Sequence, residues 1–290
     1  MKKPIFTGVC TALVTPFLGN SINFPLLEQL LKRQMEAGIE AVVISGTTGE
    51  SPTLTDSEKL ELFRRAKQYT GDDCKILAGT GSNSTEHAIA LSKAAEAVGV
   101  DGLLVVTPYY NKATSEGLLA HYGAIAGAVH IPVIAYNVPS RTGVDIPVEV
   151  YACLAKIPNM AGVKEASSDI RKIPKIRAAC PTDFTIWSGN DDQITPVMAL
   201  GGQGVVSVLS NVAPLETQAL TQAALAGDFD TAADLQLRLL PLIEALFCEV
   251  NPIPVKAAMK LIGYDCGGCR LPLTPMSREN FEKLRILLQK

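Results

Sequence analysis

The sequence predicts an α/β fold, a (β/α)8 TIM barrel over residues 1–225 followed by a C-terminal helical extension over residues 226–290. Three observations carry this. Short aliphatic runs ending in Gly, Thr, Asn or Pro alternate with segments of helical period. Eight such runs occur, at 8–17, 41–45, 75–79, 102–108, 132–137, 161–166, 184–188 and 204–210. They recur about every 20 to 35 residues, the span of a strand–helix unit. They are also apolar nearly throughout, as parallel strands covered on both faces must be.

The segments between the runs read as helices. Residues 24–37 place apolar side chains at 24, 27, 30, 31 and 35 and stop at Gly38. Thr55 and Glu58 have the spacing of a capping box ahead of Leu60, Leu62 and Phe63. Residues 88–98 end at Gly99, and 118–129 end before Ile131-Pro132. After Gly227 only helices are expected. Asp228 caps one running to Glu249 with a kink near Pro241, a second follows Asn251-Pro252-Ile253-Pro254, and a third covers 277–290. The absence of a Gly/Ser linker predicts that this extension is docked on the barrel. An open doubly wound sheet is the alternative, but it needs a phosphate-binding glycine loop. Gly79-Thr80-Gly81 lacks the third glycine, and no GxxxxGK occurs.

Composition narrows the function classes. Of the 290 residues, 47% are hydrophobic and 19% charged, enough apolar material for a core on both faces of a sheet. The net charge of −3 with no basic run argues against nucleic acid. The apolar N-terminal stretch is broken by Thr7, Thr11 and Thr15, and no segment is long and apolar enough to span a membrane. Seven scattered cysteines, an odd number, read as reduced core thiols of a cytoplasmic protein. His87, His121 and His130 have no metal-ligand spacing, and Cys266-Gly267-Gly268-Cys269 lacks a second ligand pair, so no metal is expected. Asp72-Asp73 and Asp191-Asp192 read as turn and helix-cap acids.

In such a barrel the chemistry sits at the carboxyl ends of the strands. Lys164 stands out there, because it follows Ala161-Gly162-Val163 inside an apolar strand. Burial disfavours the ammonium form, and a neutral amine attacks a carbonyl to give an imine. A strand-end lysine can equally snorkel to solvent or pair with Glu165. Gly162 and Ala166, two residues to either side, are expected to leave room for substrate. Gly46-Thr47-Thr48-Gly49 offers hydroxyls and backbone N–H groups as a nest for a carboxylate, although Thr and Gly are common in ordinary turns. Tyr136 and Tyr110 are phenols at neighbouring strand ends that can relay a proton through Thr47, or simply be half-buried aromatics. Arg141 can hold a carboxylate bidentately, or be a solvated loop residue.

Taken together and in order, GTTGES (46–51), TPYYN (107–111), YNVPSRTG (136–143) and VKEAS (163–167) resemble the dihydrodipicolinate synthase family, with weaker support from SGNDD (188–192) and NPIPVK (251–256). The resemblance runs over nearly the whole chain. It implies condensation of pyruvate, bound as an imine on Lys164, with L-aspartate 4-semialdehyde, and no cofactor. Thr47 and Thr48 would hold the pyruvate carboxylate, and Thr47, Tyr136 and Tyr110 would relay protons. The tyrosine matching Tyr110 comes from a neighbouring subunit in this family, which implies a dimer and usually a homotetramer. Arg141 would bind the aldehyde's carboxylate, and Gly189 and Val206 would line the pocket through backbone groups. N-acetylneuraminate lyases and keto-deoxy sugar-acid aldolases share the barrel and lysine, but lack the arginine, and the former tend to carry serine in place of Thr47. A barrel that binds small anions without catalysis is the reading from a different class, and trapping pyruvate with borohydride discriminates it.

Feedback-inhibited members of that family bind lysine near positions matching Ser51, Pro52, Asp56, Lys59, Asn83, His87 and Tyr109. They tend to have histidines matching Asp56 and Lys59 and a glutamate matching His87. The replacements here disfavour a cationic ligand, so weak or absent inhibition by lysine is expected.

Overall fold

The computed structural model describes residues 2–289. Eight parallel strands close into a barrel: β1 (Gly8–Ala12), β2 (Ala41–Ile44), β3 (Lys75–Gly79), β4 (Gly102–Val106), β5 (Val133–Asn137), β6 (Met160–Glu165), β7 (Thr185–Ser188) and β8 (Gly204–Ser207). β1 closes the ring by pairing with β8 through Gly8 and Gly204, and with β2 through Cys10 and Ala41. Eight helices surround it, besides a single helical turn at Pro139–Thr142 that carries Arg141: α1 (Phe24–Glu36), α2 (Asp56–Thr70), α3 (Thr85–Val98), α4 (Ser115–Gly127), α5 (Val148–Leu154), α6 (Lys172–Ala179), α7 (Ile194–Ala199) and α8 (Pro214–Leu225). The extension follows as α9 (Phe229–Leu246), α10 (Ile253–Leu261) and α11 (Arg278–Leu288).

Local chemistry accounts for the boundaries. Thr55 and Glu58 form the expected capping box at α2. Asn23, Ser84, Thr114 and Asp228 each accept a backbone N–H at the start of α1, α3, α4 and α9. Pro241 lies inside α9. The first strand is shorter than the apolar run suggested. It ends at Ala12, and Phe17–Leu18 instead pairs with Ser21–Ile22 in a small hairpin turned through Gly19 at φ +60°. Apolarity alone does not show where the chain leaves the sheet.

Alternation along the strands separates two packing layers. Phe6, Cys10, Val43, Leu77, Leu104, Ile134, Tyr136, Trp187 and Val206 pack inside the barrel, and Phe6 stacks on Trp187 at 4.8 Å between ring centroids. A larger layer, including Leu27, Leu31, Phe63, Tyr122, Ile125 and Ile176, fills the space between strands and helices. The glycine before Lys164 does not serve the role expected of it. A Cβ at Gly162 would lie 1.9 Å from the Thr185 carbonyl oxygen, so its smallness lets β6 and β7 approach rather than making room for substrate.

His121 on α4 is buried among the outer layer. Its Nδ1 bonds Thr85 Oγ1 at 2.9 Å, and its Nε2 has no partner among the described residues. Burial pushes the imidazole down to about 4 from an ordinary 6.5. Between these values the unfolded chain binds a proton that the folded chain refuses, so stability rises with pH there and is lost on acidification. The expected loss from pH 6.5 to pH 4 is on the order of 3 kcal/mol from this group. Urea unfolding across that range should show a steeper decline for the wild type than for His121→Gln. Parallel curves would exclude His121 as the cause.

Candidate active site

The site is built from the carboxyl ends of β2, β5, β6 and β7. Tyr136 and Lys164 are direct neighbours in the β5–β6 register and both turn inward. Lys164 is buried at 5% exposure, with Nζ 4.2 Å from the centroid of the Tyr136 ring. Glu165 does not take it up as an ion-pair partner. The ion pairs around it run through Lys172, to Asp145 and Glu165. Room beside the amine comes from Gly189, where a Cβ would lie 3.1 Å from Lys164 Cε and 2.5 Å from the Ala166 Cβ.

The turn after β2 supplies a wall of hydrogen-bond donors. Glu50 N donates to Thr47 O at 3.1 Å, Ser51 N to Gly46 O at 3.2 Å, and Thr15 Oγ1 to Gly49 O at 2.7 Å, which fixes the loop. The backbone N–H groups of Thr47 and Thr48 make no hydrogen bond among the described residues. Thr48 Oγ1 accepts from Asn251 Nδ2 at 3.0 Å, leaving its own hydrogen available to the cavity. Such a concave array of donors suits a carboxylate.

Six of the expected residues, Thr47, Thr48, Tyr136, Arg141, Lys164 and Gly189, line one cavity of about 230 Å³. Val206 does not reach it directly. It packs one step deeper inside the barrel against the same cluster as Tyr136 and Ala166, and Val208 takes the place on the wall. Tyr110 stands outside, 88% exposed, in a loop where it adopts φ +71°. Arg141 sits on the exposed rim, with its guanidinium 3.3 Å from the Asn251 carbonyl oxygen.

The extension enters the site, which sequence reasoning confined to the barrel. Phe247 and Asn251 line the cavity together with Ser168 and Asn190. Asn251 opens the NPIPVK segment, so a signal for it existed; Phe247 had none. Asp191 also departs from expectation. It caps no helix of its own segment but is buried and accepts Val208 N and Leu209 N at 2.9 Å each, at the start of the short helical turn Leu209–Asn211, and burial raises its carboxyl above the ordinary range. Asp192 is exposed.

A second cavity of about 410 Å³ adjoins the first and shares Thr47, Tyr136, Val138 and Arg141 with it. Ser51, Pro52, Lys59, His87 and Tyr109 line it. Asp56 stands behind, 2.7 Å from His87 Nε2 and 3.7 Å from Lys59 Nζ, while Asn83 donates to Asn111 Oδ1 at 3.4 Å. Desolvation lowers the Lys59 pKa against the opposing pull of Asp56. Among the described residues no group of His, Cys, Asp and Glu could hold a metal, and no helix is long and apolar enough to cross a membrane.

A buried amine against a phenol, facing a donor-lined wall at the carboxyl end of a closed (β/α)8 barrel, defines an aldolase-type barrel lyase. The chain belongs to the dihydrodipicolinate synthetase family, whose sequence profile matches residues 5–290. It is 47% identical over 289 residues to the 4-hydroxy-tetrahydrodipicolinate synthase of Acetivibrio thermocellus, covering 100% of this chain and 98% of that one. It superposes at TM-score 0.96, with 41% identity and 98% of both chains covered, on a chloride-inhibited dihydrodipicolinate synthase from Acinetobacter baumannii complexed with pyruvate. The match to the Cyanidioschyzon merolae enzyme with lysine bound also has TM-score 0.96, with 42% identity over 99% of this chain and 98% of that one.

Proposed function

We propose that this chain condenses pyruvate with L-aspartate 4-semialdehyde, the 4-hydroxy-tetrahydrodipicolinate synthase reaction of diaminopimelate and lysine biosynthesis. The observation that supports this reading best is the buried Lys164 amine beside the Tyr136 ring, under a wall of free Thr47 and Thr48 donors. Lys164 adds to the pyruvate ketone, and loss of water leaves the imine. Thr47 and Thr48 hold the carboxylate. Thr47 and Tyr136 move protons between the site and solvent, completed by Tyr110 from a second copy of the chain. Loss of a methyl proton gives the enamine, whose carbon attacks the aldehyde while Arg141 holds that substrate's carboxylate. The imine is its own electron sink, so the chemistry needs neither cofactor nor metal.

The exposure of Tyr110 supports a dimer that exchanges this residue, and we propose that two such dimers pair as a homotetramer. Seven free cysteines fit reducing cytoplasm. The test is pyruvate consumption with L-aspartate 4-semialdehyde as second substrate. Turnover supports the assignment. No turnover, with pyruvate still trapped on Lys164 by borohydride, moves it to a sugar-acid aldolase.

The second cavity sets a further expectation. With Lys59 and His87 on its wall, and Asp56 already turned to both of them, it offers an added lysine a cation and an imidazole where a free acid would be needed. Turnover at saturating substrate should stay nearly constant as lysine rises through the millimolar range. Half-inhibition below about 1 mM, a binding energy near 4 kcal/mol, would reject this.

A further inference from the structure

The neighbours of the reacting pair point the other way. Alternation turns Asn137 and Glu165 outward where Tyr136 and Lys164 turn inward, and the register pairs Asn137 with Glu165. Behind the barrel wall the two are tied together. Asn137 Nδ2 donates to the Glu165 oxygens at 2.9 and 3.2 Å and to Asp145 Oδ1 at 2.7 Å. Its Oδ1 accepts Ile146 N at 3.0 Å. Glu165 further accepts the Tyr151 hydroxyl and Ser167 N, each at 2.8 Å, and lies 3.6 Å from Lys172 Nζ. Asn137, Tyr151, Glu165 and Lys172 are all buried. Burial first, and the Glu165 charge second, push the Tyr151 phenol well above its ordinary range, so it remains a donor to the carboxylate.

A buried ionic cluster is poor value as plain stabilisation, because apolar residues of the same volume hold two strands at least as well. This one sits at the strand ends that bear the amine and the phenol, one residue from each. There a fully bonded polar network fixes geometry that apolar packing leaves loose. We infer that Glu165 and Asn137 are positioning residues, pinning β5 to β6 from outside so that Lys164 Nζ is held over Tyr136. This rests on the roles proposed above for Lys164 and Tyr136; neither Glu165 nor Asn137 touches substrate.

The test compares Glu165→Gln, Asn137→Ser and the milder Tyr151→Phe, with active sites counted by borohydride-trapped pyruvate. Turnover per trapped site is expected to fall about tenfold or more in the first two and a few-fold in the third, with KM for pyruvate within about threefold. The Glu165→Gln/Asn137→Ser double variant should be about as slow as the slower single one, because both break the same pin. A merely structural role would lower the yield and Tm while leaving turnover per trapped site unchanged, and that result in Glu165→Gln overturns the inference. Should Glu165→Gln not fold, Tyr151→Phe decides by the same criterion. Failure of the wild type itself to trap pyruvate would instead strike at the assignment of Lys164.

Discussion

Lys164→Ala is expected to lose at least about 10³-fold in turnover and to show no pyruvate adduct after borohydride treatment. The fold should survive the change. Lys164 is buried, its amine lies over the Tyr136 ring, Asp145 and Glu165 are already engaged by Lys172, and Asp191, which feels the Lys164 charge, is held by the Val208 and Leu209 N–H groups. Removing the side chain therefore breaks no ion pair, takes a distant attraction from Asp191 while leaving its two backbone hydrogen bonds, and relieves the cost of an amine held away from water. Tm should be unchanged or higher, as is common where activity requires a destabilised site. Lys164→Arg separates charge from chemistry, since a guanidinium cannot form the imine. Persistence of the adduct in Lys164→Ala would place the nucleophile on another lysine and undo the mechanism.

The barrel was legible because its physics is local. Eight apolar runs at strand length, each followed by a helical period, leave few architectures. Lys164 was legible for a similar reason, as a charge interrupting an apolar strand. What escaped was set by contacts distant in sequence. Asp191 looked like a cap in its own segment, and only the close approach of the 208–209 backbone makes it a buried brace. Gly162 and Gly189 are indistinguishable as letters, yet one is required by a neighbouring strand and the other by the space beside the amine. Asn251 and Phe247 lie far along the chain from Thr48, and nothing in the spacing of the extension says that it folds back over the cavity.

That return of the chain sets the second large effect. Glu50 closes the GTTGE turn in the left-handed region at φ +58°, a conformation that persists only if its surroundings hold it. They do so from the extension. Lys256 Nζ lies 2.7 Å from Glu50 Oε1, with the two side chains 3% and 1% exposed, and also donates to Gly268 O at 2.9 Å. Arg270 N donates to Glu50 Oε2 at 2.8 Å, while its guanidinium pairs with Glu58 and holds that carboxyl down to about 2. Lys256 and Arg270 both lie over the Phe17 ring, at 4.4 and 4.5 Å. Lys256→Met keeps the volume but leaves Glu50 buried without its cation, and should cost about 3–5 kcal/mol in urea unfolding. Adding Glu50→Gln removes the stranded charge and should recover a large part of that loss. The pair also anchors the turn that presents Thr47 and Thr48, so KM for pyruvate should rise in the single variant beyond what lost folded protein explains. A single variant within about 1 kcal/mol of wild type would mean that the pair is solvated in solution, and that the turn is held by its remaining hydrogen bonds, including Asn251–Thr48 and Thr15–Gly49.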